Sequence, residues 1–275
     1  MSSRRNNNFK NLWDFFDGQI YCINLNTRDD RYKSSKKIFE KYDVPVQYFR
    51  VNKHPKGGTY GCFDSHIKII RKAYYEGAER VLIFEDDITP TDYLTPNHLE
   101  KAINFMENED WDLFYLGALP NIRSYKSYST NYSGIYRLRG ICTHAYIVNR
   151  KTMKQLINLK YEGTAIDYYY INNFDKSYAL YPTLFFQGLS ESDIGYNWWA
   201  HYGTKERVST FYRCMESYAY YIQYPIVLFV PVILLLLGWF GMGMYKYYSP
   251  SLLLGILLMI LLIVILLWRD NPVHK

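Results

Sequence analysis

The stretch RVLIFEDDI, residues 80–88, decides the fold of this chain. Residues 81–84 form an unbroken apolar run, which predicts a strand buried on both faces of a sheet. The carboxylates Glu85, Asp86 and Asp87 follow where that strand leaves the sheet, the edge at which open α/β sheets bind ligands. Carboxylates there suit Mg²⁺ or Mn²⁺ shared with phosphate groups. Continued extension predicts Glu85 and Asp87 on one side and Asp86 on the other, and the alternative is a solvated acidic turn.

The segment before this strand predicts a helix. GCFDSH, residues 61–66, contains Asp64 and Ser65, either of which suits an N-cap. An apolar stripe at helical spacing comes next, and Gly77 suits the end of the helix. The stripe consists of Ile67, Ile70, Ala73 and Tyr74. The predicted order is therefore helix, short turn, buried strand and acid cluster.

A first strand is predicted near the start of the chain, over residues 20–25. Asn24, Arg28 and Arg31 lie at its carboxyl end, where ligands gather. A guanidinium group matches the geometry of phosphate, so these arginines suit a nucleotide. The residues alone leave a second possibility open, in which the two arginines pair with Asp29 and Asp30 on a helix surface.

The rest of the chain alternates between strand and helix patterns. Thr95-Pro96 and Asn149 predict helix starts. Further strands are predicted over residues 46–51, 113–116, 142–148 and 184–187. This alternation predicts an α/β fold with a mostly parallel sheet and helices on both faces.

Four polar residues in this later part are candidates for chemistry. His144 lies on a predicted strand, where it either forms a structural hydrogen bond or binds a ligand. Asp167 follows Gly163 and either caps a helix or serves as a general base. Glu191 and Asp193 come directly after the last predicted strand.

Five segments resemble glycosyltransferase family 25, which includes bacterial lipopolysaccharide sugar transferases and procollagen galactosyltransferases. The central one is GTYGCFDSHIKIIRKAYYEGAERVLIFEDDI, residues 58–88. The others are YCINLNTRDDR (21–31), CTHAYIVNRKTMKQLI (142–157), GTAIDYYY (163–170) and YPTLFFQGLSESDIG (181–195). They follow the family's order across residues 18–196.

This resemblance implies a GT-A-like nucleotide-sugar transferase domain and a reaction that inverts the anomeric carbon. The leading hypothesis is metal-dependent transfer of a hexose, galactose or glucose, from a UDP-sugar. The cofactor would be Mn²⁺ or Mg²⁺. The acceptor would be a hydroxyl group of a saccharide, a lipid-linked saccharide or a protein.

The same hypothesis assigns a role to each candidate residue. Asp87 and Glu85 would bind the metal, and Asp167 would be the base, with Asp193 and Glu191 in reserve. The donor-binding set comprises Asn24, Arg28, Arg31, Ser65, His66, Glu85, Asp86 and His144.

Two other classes of function fit the same motifs. One is a metal-dependent nucleotide-sugar phosphohydrolase, which consumes the donor without an acceptor. The other is a non-catalytic, membrane-anchored scaffold that keeps the transferase fold.

Composition argues against nucleic acid as a partner and against a disulfide framework. The chain of 275 residues carries a net charge of +6 without a basic block, which argues against nucleic-acid binding. The cysteines at 22, 62, 142 and 214 show no recognised metal-binding spacing and are too sparse for a disulfide framework. Apolar surroundings predict buried thiols at the first three.

The C-terminal part predicts a transmembrane hairpin. Residues 225–244 and 251–268 contain no charged side chain, and each is long enough to cross a hydrocarbon core of about 30 Å. A short connector that contains Lys246 joins them. The positive charges that flank the pair, among them Arg213 and Arg269, outnumber those in the connector, which predicts a cytosolic catalytic domain.

The predicted organisation has three parts. Residues 1–17 form a polar, flexible tail without a secretory signal. Residues 18–210 form the transferase domain. Residues 211–275 form a juxtamembrane segment and the hairpin, so the protein is expected in a membrane.

Overall fold

The computed structural model describes residues 9–120 and 130–188, together with Thr210, Arg213, Cys214, Glu216 and Ser217. Its strands are β1 (Ile20–Leu25), β2 (Gln47–Val51), β3 (Arg80–Glu85), β4 (Ile88–Pro90), β5 (Leu113–Pro120), β6 (Ile135–Arg137), β7 (Gly140–Asn149), β8 (Ser177–Leu180) and β9 (Phe185–Gln187). Its α-helices are α1 (Lys10–Trp13), α2 (Asp29–Lys41), α3 (Gly58–Tyr75), α4 (Pro96–Asn108), α5 (Arg150–Leu156) and α6 (Ile166–Asn173), and a 3-10 helix spans Asp14–Phe16.

A seven-stranded sheet forms the centre, in the order β2-β1-β3-β7-β5-β8-β6. Five of these strands run in one direction, whereas β6 and β7 run in the other. The predicted α/β class with a mostly parallel sheet is therefore confirmed. The antiparallel β7 between β3 and β5 was not predicted. A second sheet pairs β4 with β9 in antiparallel fashion, directly beyond the end of β3.

Strand β3 is buried on both faces, as its apolar run predicts. Leu82 and Phe84 face one core, which also contains Phe39 of α2 and several α4 side chains. Val81 and Ile83 face the other core, which is built mainly from α3, α5 and α6. Successive side chains of a strand alternate between faces, so helices on both sides are needed to cover this one. The acid cluster consequently leaves the sheet at its middle.

Two predicted helix starts are confirmed and one is wrong. The side chain of Thr95 accepts a hydrogen bond from the amide of His98, and that of Asn149 accepts one from the amide of Thr152. Helix α3, however, begins at Gly58, with Gly57 at the N-cap in a left-handed conformation (φ 97°). Ser65 therefore lies inside the helix, where its hydroxyl donates to the carbonyl of Gly61 at 2.7 Å.

The N-terminal segment differs from the flexible tail predicted over residues 1–17. Phe9, Trp13 and Phe16 are buried in the core, and Trp13 Nε1 donates to the carbonyl of Tyr42 at 2.9 Å. These aromatic residues are spaced by four and three positions, which places them on one face of a short helix. Their burial outweighs the polar composition around them.

The predicted boundary after residue 210 also differs from the structure. Glu216 is buried and accepts a hydrogen bond from the amide of Thr183 at 2.7 Å. Ser217 lies 3.1 Å from the hydroxyl of Tyr181. Side chains after residue 210 thus belong to the same folded unit.

Several predictions lie outside the described residues. These are the two membrane segments, 225–244 and 251–268, and the residues Glu191 and Asp193. In the portion of the chain that the structure describes, no helix combines the length and apolarity needed to cross a bilayer.

Candidate active site

The acid cluster lies at the carboxyl end of β3, and the chain turns there. Strand β3 ends at Glu85, and Asp86 and Asp87 form a turn into β4. Asp86 and Asp87 reach the same guanidinium group, that of Arg31, whereas Glu85 lies beside His66. The turn therefore overrides the predicted alternation of the carboxylates. The side chains are 19%, 7% and 8% exposed in chain order, so the cluster is not a solvated acidic turn.

Asp86 is held by two side chains from the neighbouring elements. Asn24 of β1 donates to its Oδ2 at 2.6 Å, and Arg31 of α2 donates to its Oδ1 at 3.0 Å. Parallel pairing of β1 with β3 brings Asn24 to this edge. Burial raises the pKa of Asp86, while Asn24 and Arg31 act to lower it. Asp86 thus has a complete set of protein partners.

The side chain of Asp87 is only 8% exposed, and one of its carboxylate oxygens is unused. Its Oδ2 lies 3.5 Å from both Arg31 Nη1 and Gln187 Nε2, and its Oδ1 has no hydrogen-bond partner among the described residues. Burial raises the pKa of Asp87 to about 7, and the charge of Glu85 adds to the rise while Arg31 opposes it. A buried carboxylate oxygen without a donor is costly unless a cation binds it. Asp87, with Glu85 nearby, therefore fits a divalent ion with oxygen ligands.

Glu85 takes part in a different set of contacts. Its Oε1 lies 3.6 Å from His66 Nε2 and accepts a hydrogen bond from the Thr143 hydroxyl at 3.4 Å. His66 Nδ1 lies 2.9 Å from the hydroxyl of Tyr146, which in turn lies 3.0 Å from that of Tyr170. Burial raises the pKa of Glu85, but the interaction with His66 outweighs it, and the net shift is downward. Glu85 therefore differs from Asp86 and Asp87, whose pKa values are raised.

The structure separates the two predicted arginines. Arg28 forms an ion pair with Asp30 at 2.9 Å on the surface, and this hydrogen bond lowers the pKa of Asp30 to about 2. Asp29 pairs instead with Arg50 at 2.7 Å. Only Arg31, of the two, reaches the acid cluster. A donor-binding role for either arginine stays a prediction.

Two predicted donor-binding residues, Ser65 and His144, are buried. Ser65 is 4% exposed and bonds within α3. His144 is fully buried in β7, with Nε2 3.2 Å from the carbonyl of Phe185, and burial lowers its pKa. A Cβ at Gly117 would lie only 2.5 Å from that nitrogen, so the glycine makes room for the ring. Both side chains are placed as structural hydrogen-bonding groups, and their donor-binding role stays a prediction.

Asp167 lies in the first turn of α6 and faces β7. Its Oδ2 accepts from the amide of Cys142 at 3.2 Å, and its Oδ1 accepts from the amide of Tyr168 at 2.8 Å. Cys142 adopts a left-handed conformation (φ 62°), which turns its amide toward the carboxylate. Burial raises the pKa of Asp167, and the charge of Glu85 adds to the rise. This carboxylate is therefore oriented, and it is more basic than a solvated one.

Sequence reasoning missed several residues of the site. Thr143, Tyr146, Tyr170 and Gln187 all contribute to the contacts above, yet each resembles an ordinary strand or helix residue in the sequence. Cys62 lies with His66 and Glu85 in a group whose ligating atoms are within 4.8 Å of one another. The sequence feature that could have revealed this group is the four-residue spacing of Cys62 and His66, which places both on one face of a helix. Cys62 and Cys142 are half-buried rather than buried as predicted, and Cys22 is buried.

Comparison with known proteins identifies one family. Residues 33–170, half of the chain, match the profile described as glycosyltransferase family 25 (LPS biosynthesis protein). The matched region includes the acid cluster, its partners from α3 and β7, and Asp167. No curated protein matches the chain.

Three solved structures are similar to parts of the chain. A glycosyltransferase involved in the glycosylation of the major capsid of PBCV-1 has 14% identity and a TM-score of 0.39, covering 63% of this chain and 94% of that one. A mannose-1-phosphate geranyltransferase from Thermus thermophilus has 13% identity and a TM-score of 0.33, covering 62% and 60%. A UDP-glucose pyrophosphorylase complexed with UDP-glucose has 9% identity and a TM-score of 0.37, covering 74% and 86%.

Proposed function

The chain belongs to glycosyltransferase family 25, and we propose that it transfers a hexose, galactose or glucose, from a UDP-sugar with inversion at the anomeric carbon. The acceptor is a hydroxyl group of a saccharide, a lipid-linked saccharide or a protein. The reaction depends on Mn²⁺ or Mg²⁺. Family membership supports the transfer of a sugar, and the acid cluster supports the metal dependence.

The unused Oδ1 of Asp87 carries this proposal. It is buried at the ligand-binding edge of the sheet, and no donor from the described residues satisfies it. Asp87 would hold the ion, with Glu85 as the second carboxylate. When bound, the ion supplies positive charge that stabilises the departing nucleotide diphosphate. Replacing Asp87 with a neutral residue removes the negative charge at this position.

Arg31 prepares the same edge for an anionic donor. Its guanidinium group lies 3.0 Å from Asp86 Oδ1 and 3.5 Å from Asp87 Oδ2, so it fixes both side chains. The side chain is only 12% exposed, which strengthens its field relative to a solvated arginine. Arg31 therefore orients the carboxylates and offsets part of their charge before a diphosphate arrives.

Asp167 is the general base in this proposal. It takes the proton of the acceptor hydroxyl as that oxygen bonds to the anomeric carbon and the bond between sugar and phosphate breaks. The two backbone amides that bind Asp167 orient it and leave each carboxylate oxygen a further lone pair. Its raised pKa makes it a better proton acceptor. Asp193 and Glu191, which lie outside the described residues, remain the alternatives for this role.

A donor screen on the purified full chain tests the proposal. We expect UDP-galactose or UDP-glucose to raise Tm in the presence of Mn²⁺ but not after treatment with EDTA, and labelled sugar to reach an acceptor. The anomeric configuration of the product reports inversion. Release of nucleotide at an undiminished rate without acceptor would indicate the phosphohydrolase instead. Absence of metal-dependent donor binding would indicate the scaffold.

We also propose that the chain is held in a membrane by the hairpin of residues 225–244 and 251–268, with the transferase domain in the cytosol. The support is the uncharged length of both segments and the distribution of flanking positive charge. We expect the full chain to stay in the membrane pellet after alkaline extraction. In sealed vesicles with the cytosolic face outward, protease should digest the transferase domain. Complete protection of that domain would contradict the orientation.

A further inference from the structure

Helix α3 and strand β3 bring a thiol, an imidazole and a carboxylate together. Cys62 and His66 lie one turn apart on α3, and Glu85 ends β3 opposite them. Their sulfur, nitrogen and oxygen ligand atoms are all within 4.8 Å of one another. Cys62 is half-buried, His66 is fully buried and Glu85 is 19% exposed, so the group lies inside the domain.

The hydrogen bonds of His66 leave one ring nitrogen unused. Nδ1 lies 2.9 Å from the hydroxyl of Tyr146, and that hydroxyl is bound in turn to Tyr170 at 3.0 Å. Within the part of the chain that the structure describes, Nε2 has no hydrogen-bond partner although it is buried. A neutral imidazole that donates from Nδ1 presents a lone pair at Nε2. In that tautomer the lone pair is directed into the group formed by Cys62 and Glu85.

The distance between His66 Nε2 and Glu85 Oε1 is too long for a hydrogen bond. Nε2 and Oε1 are 3.6 Å apart, longer than the roughly 2.7–3.2 Å of such bonds. In the tautomer that carries its proton on Nδ1, Nε2 and Oε1 are two acceptors that face each other, and they repel unless a cation lies between them. Zinc bonds of about 2.0–2.1 Å to nitrogen and oxygen place those atoms about 3.3–3.4 Å apart at a tetrahedral angle. The observed distance is close to that value.

We propose that Cys62, His66 and Glu85 bind a transition-metal ion of the zinc class. Three protein ligands leave a fourth position open, as in many zinc sites that accept water or another ligand. Tyr146 holds the outer nitrogen of His66, the arrangement that orients metal-bound imidazoles. The thiolate selects a softer ion than the oxygen ligands around Asp87 do.

This site shares Glu85 and His66 with the proposed function, but Cys62 has no role in sugar transfer and Asp87 has none in binding zinc. The ion would join the end of β3 to α3 through the Glu85 oxygen nearest His66. Asp87 and its unused Oδ1 lie in the turn that follows β3 and are not required. A chain that fails to transfer hexose could therefore still bind zinc, and the reverse also holds.

Cobalt absorption tests the proposal directly. The purified full chain, stripped of metal, is titrated with Co²⁺ alone, and we expect a thiolate-to-cobalt charge-transfer band that saturates near one equivalent and disappears when Zn²⁺ is added. The band should be lost in Cys62→Ser. It should persist in Cys142→Ser, the matched control with a half-buried thiol, and in Asp87→Asn. No band in the wild-type chain, or a band that survives in Cys62→Ser, overturns the proposal.

Alkylation of the wild-type chain provides a test that does not depend on a variant. Iodoacetamide labelling read by mass spectrometry should fall at least tenfold at Cys62 when Zn²⁺ is present and remain unchanged with Mg²⁺. Cys214 is exposed and serves as the internal control, with equal labelling in all conditions. Equal labelling of Cys62 with and without Zn²⁺ contradicts the site.

Discussion

Two groups of acidic residues occupy opposite edges of the sheet. The buried acid cluster (Glu85, Asp86, Asp87) follows the carboxyl end of β3. The surface ion-pair cluster lies near the amino ends of β5 and β8 and consists of the exposed residues Asp110, Lys151 and Lys176 around the buried Asp112. In the surface cluster, Lys151 lies 3.0 Å from Asp110 and 3.1 Å from Asp112, and Lys176 also binds Asp110. Two lysines thus match two aspartates there.

The two clusters show opposite pKa shifts for the same residue type. Hydrogen bonds from Lys176 and Lys151 lower the pKa of Asp110, whose side chain is 58% exposed. Burial raises the pKa of Asp87, which shares Arg31 with Asp86 and keeps one oxygen without a partner from the described residues. Surface acids paired with lysines stabilise the fold slightly. Buried acids in excess of their cations cost stability, and that cost is typical of a binding site.

The largest expected difference between the clusters is in catalysis. Asp87→Asn should lower kcat/KM for transfer from a UDP-sugar by about 1,000-fold, because the charge that holds the metal is lost. Asp110→Asn, the matched change at the other edge, should leave it within about twofold, since exposed pairs contribute little. Initial rates at saturating Mn²⁺ measure both. A wild-type rate in Asp87→Asn would remove the metal-site assignment.

A substitution at Asp167 tests the proposed general base, which lies outside the buried acid cluster. Asp167→Asn should lower kcat by about 100-fold, because general base catalysis is worth at least that factor, while KM for the donor changes little. In the wild-type chain kcat should rise with pH through a pKa above the ordinary 3.8 and then level off. The variant should lack that rise. If the variant keeps the rise in kcat, the base is another group, and Asp193 and Glu191 become the candidates.

The contributions of Asp87 and Asp110 to stability should depend on pH in opposite directions. The pKa of Asp87 rises from 3.8 to about 7 on folding, so its stabilising contribution is complete below about pH 4 and is lost as pH rises through 7. Without metal, Asp87→Asn should therefore gain stability relative to wild type between pH 5 and pH 8, by at most roughly 3 kcal/mol.

Asp110 should behave in the opposite way, because its pKa is lowered. Its contribution is present above the unfolded pKa and is lost as pH falls through the folded one. Denaturant unfolding at pH 3, pH 5 and pH 8 distinguishes the two residues, because the Asp110 contribution is lost only below its ordinary pKa of 3.8. A parallel pH profile for Asp87→Asn and wild type would mean that Asp87 is not buried as described.

The smallest effect is expected at the surface ion-pair cluster itself. Asp110→Asn should lower the free energy of unfolding at pH 7 by less than about 1 kcal/mol, and the loss should shrink in 1 M salt because exposed charges are screened. Urea unfolding at low and high salt measures it. A larger or salt-independent loss would show that this cluster is a buried network.

Much of the fold could be predicted from local patterns. The run of residues 81–84 predicted a strand buried on both faces, and the cap residues Thr95 and Asn149 predicted two helix starts that the structure confirms. These signals are local, because alternation, capping and apolar periodicity depend on neighbours within a few positions. The predicted start of α3 at Asp64 or Ser65 was wrong because the helix begins earlier, after Gly57, which has no side chain to cap it.

The sequence by itself determined that three carboxylates follow a strand buried on both faces. An unbroken apolar run must be covered by helices on both sides of the sheet, and the acids come directly after it. Only the tertiary structure decided what each carboxylate meets. Asn24 is 62 positions from Asp86, and His66 is 80 from Tyr146. The partner of a buried charge is set by strand order and helix packing, and no local spacing encodes those long-range contacts.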